Sequence, residues 1–188
     1  KQWEHKGGPG HWPDCDMLQV GRLSKRGPVG EERYSRFTDD ELYTHLTFWS
    51  IYQSPLMIGG HLPDNRNLEW QLLSNEEVIA VNQQGSYPTQ LLNTDSSAIW
   101  VSYSTTQQAI YLAVFNLSST TSTIPLQLKA WKLEGNWKLR DCWKKQDLGI
   151  LKNHVEQKVN AHGAVLLKIT TDGRFAQQKI VPATANLK

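Results

Sequence analysis

Residues 38–60 read Thr38-Asp39-Asp40-Glu41-Leu42-Tyr43-Thr44-His45-Leu46-Thr47-Phe48-Trp49-Ser50-Ile51-Tyr52-Gln53-Ser54-Pro55-Leu56-Met57-Ile58-Gly59-Gly60. The first four form a capping box, in which a Thr hydroxyl and a Glu carboxylate each satisfy a backbone N–H left free at a helix start. Leu42, Leu46 and Trp49 then fall at i, i+4 and i+7, flanked by Phe48, Ile51 and Tyr52, and make one broad apolar face over about four turns. Ser54-Pro55 ends the helix. The run Pro55 to Gly60 is apolar on both sides and closed by glycines, which predicts a strand buried on both faces of a parallel sheet. A helix followed by a buried strand is βα architecture.

Working outward, residues 1–37 are rich in Gly and Pro and read as loop, with one apolar patch, Met17 to Val20, as a buried strand end. On the C-terminal side a second capping box, Ser74-Asn75-Glu76-Glu77, opens a helix carrying Val78, Ile79 and Val81 that breaks at Gln83-Gln84-Gly85. From residue 88 the period becomes two. Ile99, Val101 and Tyr103 alternate with Trp100 and Ser102, and Val165, Leu167 and Ile169 with Leu166 and Lys168. Adding 109–116, 120–127, 136–144 and 153–158 gives an antiparallel β-sandwich of seven or eight short strands. The predicted organisation is therefore an α/β part over 1–84, an all-β part over 85–172 and a loose tail over 173–188.

Hydrophobic residues make up 39% of the 188 and charged ones 20%, the composition of a soluble globular chain. No apolar run approaches the roughly 18 residues of a membrane span, so no membrane partner is expected. The chain opens on Lys1 with no hydrophobic signal stretch, which suggests a fragment whose targeting segment lies elsewhere. A net charge of +2 from scattered Lys and Arg gives no footprint for nucleic acid. The two cysteines, Cys15 and Cys142, sit in different predicted parts and read as free thiols.

Three blocks occur in order: Gly10-His11-Trp12-Pro13-Asp14-Cys15-Asp16-Met17-Leu18, then Thr47 to Ile51 running into Ser54 to Gly60, then Leu73-Ser74-Asn75-Glu76-Glu77-Val78-Ile79-Ala80-Val81-Asn82-Gln83. Together they resemble glycoside hydrolase family 27, which contains α-galactosidases and α-N-acetylgalactosaminidases. Leu139-Arg140-Asp141-Cys142-Trp143 and His162 to Leu167 look like that family's C-terminal sandwich. The resemblance implies that residues 1–84 are the C-terminal remnant of a (β/α)8 TIM barrel, holding its last two strands and helices, since a whole barrel needs about 250 residues. It further implies a retaining exo-acting glycosidase with no metal or organic cofactor, whose two reacting Asp side chains precede Lys1. On that basis the chain holds no catalytic residue and is inactive alone. Asp16 and Met17 carry over as sugar-contacting residues, with Asp14 and Trp12 as supporting neighbours. Where the family more often has Asn before the Asp pair and Pro between its members, this chain has Pro13 and Cys15. The implied partner is a carbohydrate, an α-galactoside, and the family favours a secreted or periplasmic setting.

Each of these residues also has a plainer reading. Asp14 and Asp16 suit turn capping, and Trp12 suits a loop anchor packed on the barrel. His5, His11, Asp14, Cys15 and Asp16 mix hard and soft ligands without a recognised metal spacing. His45 reads as structural and His61 as structural or at a pocket mouth, while Glu76 and Glu77 suit a helix start. Asn116-Leu117-Ser118 matches a glycosylation acceptor in letters only. The rival functional class is a non-catalytic carbohydrate-binding or structural sandwich, for which Trp100, Trp131 and Trp137 would form an exposed stacking face. Uncovered apolar faces of a partial barrel predict self-association, disorder in residues 1–84, or dependence on the missing part.

Overall fold

The computed structural model describes residues 7–8, 10–27, 30–104, 106–128, 130–131, 137–150 and 155–171. His5 and the tail 173–188 lie outside them. Among the described residues the first strands are a two-strand hairpin, β1 (Arg22–Leu23) and β2 (Arg33–Tyr34), and three α-helices follow: α1 (Asp39–Tyr52), α2 (Asn67–Leu73) and α3 (Glu76–Gln84). Helix α1 starts as expected: Thr38 Oγ1 accepts from Glu41 N and Glu41 Oε2 accepts from Thr38 N. It closes three residues before Pro55, at Tyr52, because Gln53 turns left-handed (φ 63°) and sends its N–H back to Ser50 O and Trp49 O.

Three expectations need correction. The cap of α3 is Asn75, whose Oδ1 accepts from Glu77 N and Val78 N. Ser74 instead ends α2, its hydroxyl donating to Trp70 O. Helix α2 itself has no counterpart in the sequence reading. The run Leu56–Gly60 is not buried on both faces: it meets its neighbour through one parallel bridge, Leu18 to Ile58, and Met57 and Ile58 remain 59% and 38% exposed. A parallel strand is buried on both faces only where strands and helices cover both, and among the described residues Leu18 is its one strand neighbour.

Eight strands follow among the described residues: β3 (Thr89–Asn93), β4 (Ser97–Ser104), β5 (Ala109–Asn116), β6 (Ser122–Leu126), β7 (Trp137–Asp141), β8 (Gln146–Ile150), β9 (Val155–Val159) and β10 (Ala164–Thr171). Six of them pair antiparallel in the order β3-β4-β5-β10-β7-β8, and β6 pairs with β9. Alternation decides the layers. Ile110, Leu112 and Val114 of β5 join Ile99, Val101, Leu167 and Ile169 in a core closed by Ile124, Leu126 and Val159 of the small sheet. Ala109, Tyr111, Ala113 and Phe115 face the other way, with Trp100 and Leu166, onto Ile51, Tyr52, Val78 and Val81 of α1 and α3. The large sheet is thus covered on both sides, and the helices of the first part supply one of the covers.

Hydrogen bonds fix that junction. Arg140 Nε and Nη2 donate to the two oxygens of Glu77 at 2.9 and 2.7 Å, Thr44 Oγ1 donates to His162 O at 2.6 Å, and Asn160 Nδ2 donates to Asp40 Oδ1 at 3.0 Å. Glu77 therefore has a partner across the junction as well as its helix-start position.

Candidate functional site

The segment before the parallel bridge is a tight turn built by its own carboxylates. Asp14 Oδ1 accepts from Asp16 N at 2.8 Å, and Asp16 Oδ1 accepts from Met17 N at 2.6 Å. Asp16 adopts φ 72°, the left-handed region that Asp tolerates better than most side chains because such local bonds offset the strain. Both carboxylates are exposed, and the second oxygen of each has no protein hydrogen bond among the described residues. Beyond the turn, Leu18 N donates to Met57 O (2.6 Å) and Gly59 N to Leu18 O (3.0 Å), bringing the two strand ends together. The approach requires Gly60, where a Cβ would stand 1.8 Å from Val20 O.

Asp16 and Met17 line a cavity of about 620 Å³ whose far wall is the hairpin, with Gln19, Ser24, Arg33 and Arg36 also on its surface. Arg22, beside it, pairs with Glu32 at 2.5 Å. The turn-capping role and the cavity-facing position thus coincide in Asp16, whereas Asp14 caps without lining the cavity. Trp12 does not line it either. At 47% exposure it is not the packed loop anchor expected of it, and among the described residues the bridge of His11 to Gly8 holds the chain beside it. The arginines of the wall had no counterpart in the sequence reading: a two-residue hairpin offers no periodicity, and Arg33 and Arg36 look like any solvated cations.

His45 is buried on α1 with Nε2 accepting from Gln19 N at 3.1 Å, and burial depresses the imidazole from 6.5 to about 4. It is a neutral structural acceptor. His61 is half-buried and stands outside the cavity, with Nδ1 3.2 Å from Asp64 Oδ2. Cys15 and Cys142 are free; burial raises both thiols, that of Cys142 to about 12. Among the described residues no cluster of His, Cys, Asp and Glu has the makings of a metal site. The tryptophans proposed for a stacking face are not exposed: Trp100 is packed under Phe48 and Tyr52, Trp131 lies in the sandwich core, and Trp137 packs against that core.

A family model described as alpha galactosidase A matches residues 1–84, and one described as alpha galactosidase C-terminal beta sandwich domain matches 94–169. The chain is 32% identical over 166 residues to alpha-galactosidase D of Emericella nidulans, covering 86% of this chain and 23% of that protein. It is similar to the solved family 27 β-L-arabinopyranosidase of Geobacillus stearothermophilus, with 36% identity and a TM-score of 0.85 over 91% of this chain and 40% of that one. Alpha-galactosidase I of Mortierella vinacea gives 25% identity and a TM-score of 0.73, over 88% of this chain and 41% of that one. The chain spans between about a quarter and two-fifths of the length of these relatives.

Proposed function

Because the chain belongs to glycoside hydrolase family 27, of the α-galactosidase type, we propose that it is the rim-bearing C-terminal part of an exo-acting retaining glycosidase. In this reading residues 1–84 are the end of a (β/α)8 barrel, and the sandwich is a buttress under its last helices. The observation that carries the sugar site is the position of Asp16 and Met17 on the 620 Å³ cavity, at the end of the segment whose parallel bridge joins Leu18 to Ile58. Sites in barrels of this kind sit at the C-terminal ends of the strands. The free oxygen of Asp16 accepts hydrogen bonds from sugar hydroxyls, and charge-assisted bonds of that sort are the stronger kind. Held so, the anomeric carbon faces the reacting carboxylates. One of these attacks it, and the other, about 5–5.5 Å away, protonates the leaving oxygen and then activates water. Asp16 contributes orientation, which removes part of the entropic barrier.

The reacting pair is proposed to come from parent sequence preceding Lys1, so these 188 residues alone are inactive. Met57 and Ile58, exposed beside Leu18, support cover of that edge by further barrel polypeptide or by a second copy. The substrate class is a terminal α-galactosyl or α-N-acetylgalactosaminyl residue. A β-L-arabinopyranoside is the second reading, favoured by the similarity to the Geobacillus enzyme, a variant of which is solved in complex with arabinose. α-Galactose and β-L-arabinopyranose share their ring hydroxyl arrangement and differ by one hydroxymethyl group.

The test is nitrophenol release from nitrophenyl α-galactoside and nitrophenyl β-L-arabinopyranoside by the parent protein, by its Asp16→Asn variant and by the 188-residue chain. The parent should turn over at least one substrate, and Asp16→Asn should lower kcat/KM by roughly a hundredfold, the worth of a charge-assisted bond. Turnover by the short chain, or an Asp16→Asn parent as active as the wild type, would overturn the reading.

A further inference from the structure

Two side chains one turn apart on α1 grip the backbone that carries the rim. Trp49 Nε1 donates to Asp16 O at 2.8 Å, and His45 Nε2 accepts from Gln19 N at 3.1 Å. The two rings lie 4.0 Å apart, and Phe37 sits 5.1 Å from the imidazole, so neither ring is free to swing. The grip has a second layer: Asn82 Nδ2, from α3, donates to Trp49 O and to Ser54 O, and Ser54 Oγ accepts from Cys15 N at 2.9 Å. Between these points the chain passes through the left-handed Asp16, a conformation that surroundings must over-determine if it is to persist.

We propose that His45 and Trp49 are positioning residues, which hold the backbone of residues 16–19 so that the side chains of Asp16 and Met17 keep one orientation toward the cavity. The inference rests on the reading of that cavity as the sugar site. Neither side chain lines the cavity; each acts through a main-chain atom, one by donating and one by accepting. Helix α1 therefore sets the height of the rim, and the α3 contacts to Trp49 and Ser54 tie that setting to the helix layer on which the sandwich rests.

Two measurements separate the clamp from the sugar reading. Amide hydrogen exchange of the 188-residue chain, followed by NMR, reports the clamp without any sugar. In Trp49→Phe and His45→Phe, exchange at Met17 and Gln19 should quicken by about tenfold or more through local opening, with helix content unchanged. His45→Gln, which keeps an acceptor, should restore most of the protection at Gln19. In the parent protein, KM for the nitrophenyl glycoside and the inhibition constant of free galactose should rise together by about tenfold in Trp49→Phe, since a misplaced binding group loses affinity. A merely structural role would instead lower the active fraction and leave both constants in place. Unchanged exchange overturns the clamp. Faster exchange with unmoved sugar constants overturns the positioning role, and an equally silent Asp16→Asn would show that the sugar site itself is misread.

Discussion

Trp143 Nε1 donates to Thr47 Oγ1 at 2.8 Å, joining residues 96 apart in the chain, and Thr47 is fully buried on α1. The indole meets Tyr43 edge-on at 5.0 Å. The turn that presents it is rigid, because Asp141 Oδ1 accepts from both Trp143 N and Lys144 N at 3.0 Å, and Asn75 Nδ2 donates to Cys142 O. The β7–β8 turn is thus a plug seated between α1 and α3. Thr47→Val keeps the shape and removes the acceptor, leaving the indole N–H unpaired. The expected loss is about 1–3 kcal/mol of unfolding free energy, read by urea titration, with Thr47→Ser recovering most of it. An unchanged midpoint in Thr47→Val would mean that water reaches the indole and that the plug is loose.

Asn116 carries a different kind of obligation. Its Nδ2 donates toward Thr120 O, Val159 O and Asn160 O, its Oδ1 accepts from the backbone and hydroxyl of Ser118, and the residue is 1% exposed. A glycan would have to be built on the nitrogen that closes this loop. Expression in a glycosylating host should therefore yield protein whose peptide mass at Asn116 is unmodified. Asn116→Asp turns the donor into a charged acceptor facing carbonyl oxygens, and should cost about 3 kcal/mol or more by the price of an unpaired buried group. A modified Asn116 in folded protein would contradict the buried position.

How much of this was legible depends on how local its cause is. The capping box at Thr38 and the apolar face of α1 involve side chains within a few residues of each other, and the helix is where they place it. Strand β5 shows why a two-sided sheet blurs the alternating signal. All eight of its residues are buried, since α1 covers Tyr111 and Phe115 while the small sheet covers Leu112 and Val114. Strand β8 was invisible for the opposite reason: it is an exposed edge with a left-handed Gly149, and its two apolar residues, Leu148 and Ile150, are too few to set a period and stay exposed. At the site, the Asp14–Asp16 spacing left open whether the pair capped a turn or faced a cavity. Asp16 does both, and no local pattern separates the two because both follow from the same turn. The supports at His45, Trp49 and Ser54 are tertiary, brought to the turn by contacts 26 to 39 residues apart.

His45 makes the grip on Gln19 sensitive to acid. The imidazole is 8% exposed, and burial alone holds its proton affinity down at about 4 against an ordinary 6.5. Above pH 6.5 both folded and unfolded chains carry it neutral, and it adds no pH dependence. Between 6.5 and 4 the unfolded chain takes up a proton that the folded chain refuses, so stability falls as the pH drops through this window. From pH 7.5 to pH 5.0 the loss attributable to this group is about 2 kcal/mol, from the linkage between those two values. Carboxylates also titrate on the acid side, so the quantity to measure is a difference of differences: urea unfolding of wild type and His45→Gln at both pH values. The wild type should lose about 2 kcal/mol more than the variant, which has no proton to gain. An imidazole titration followed by NMR gives the independent reading. A midpoint near 6.5 would show the ring open to water and its bond to Gln19 N unmade, whereas a midpoint near 4 fixes His45 as the neutral acceptor that the strand end requires.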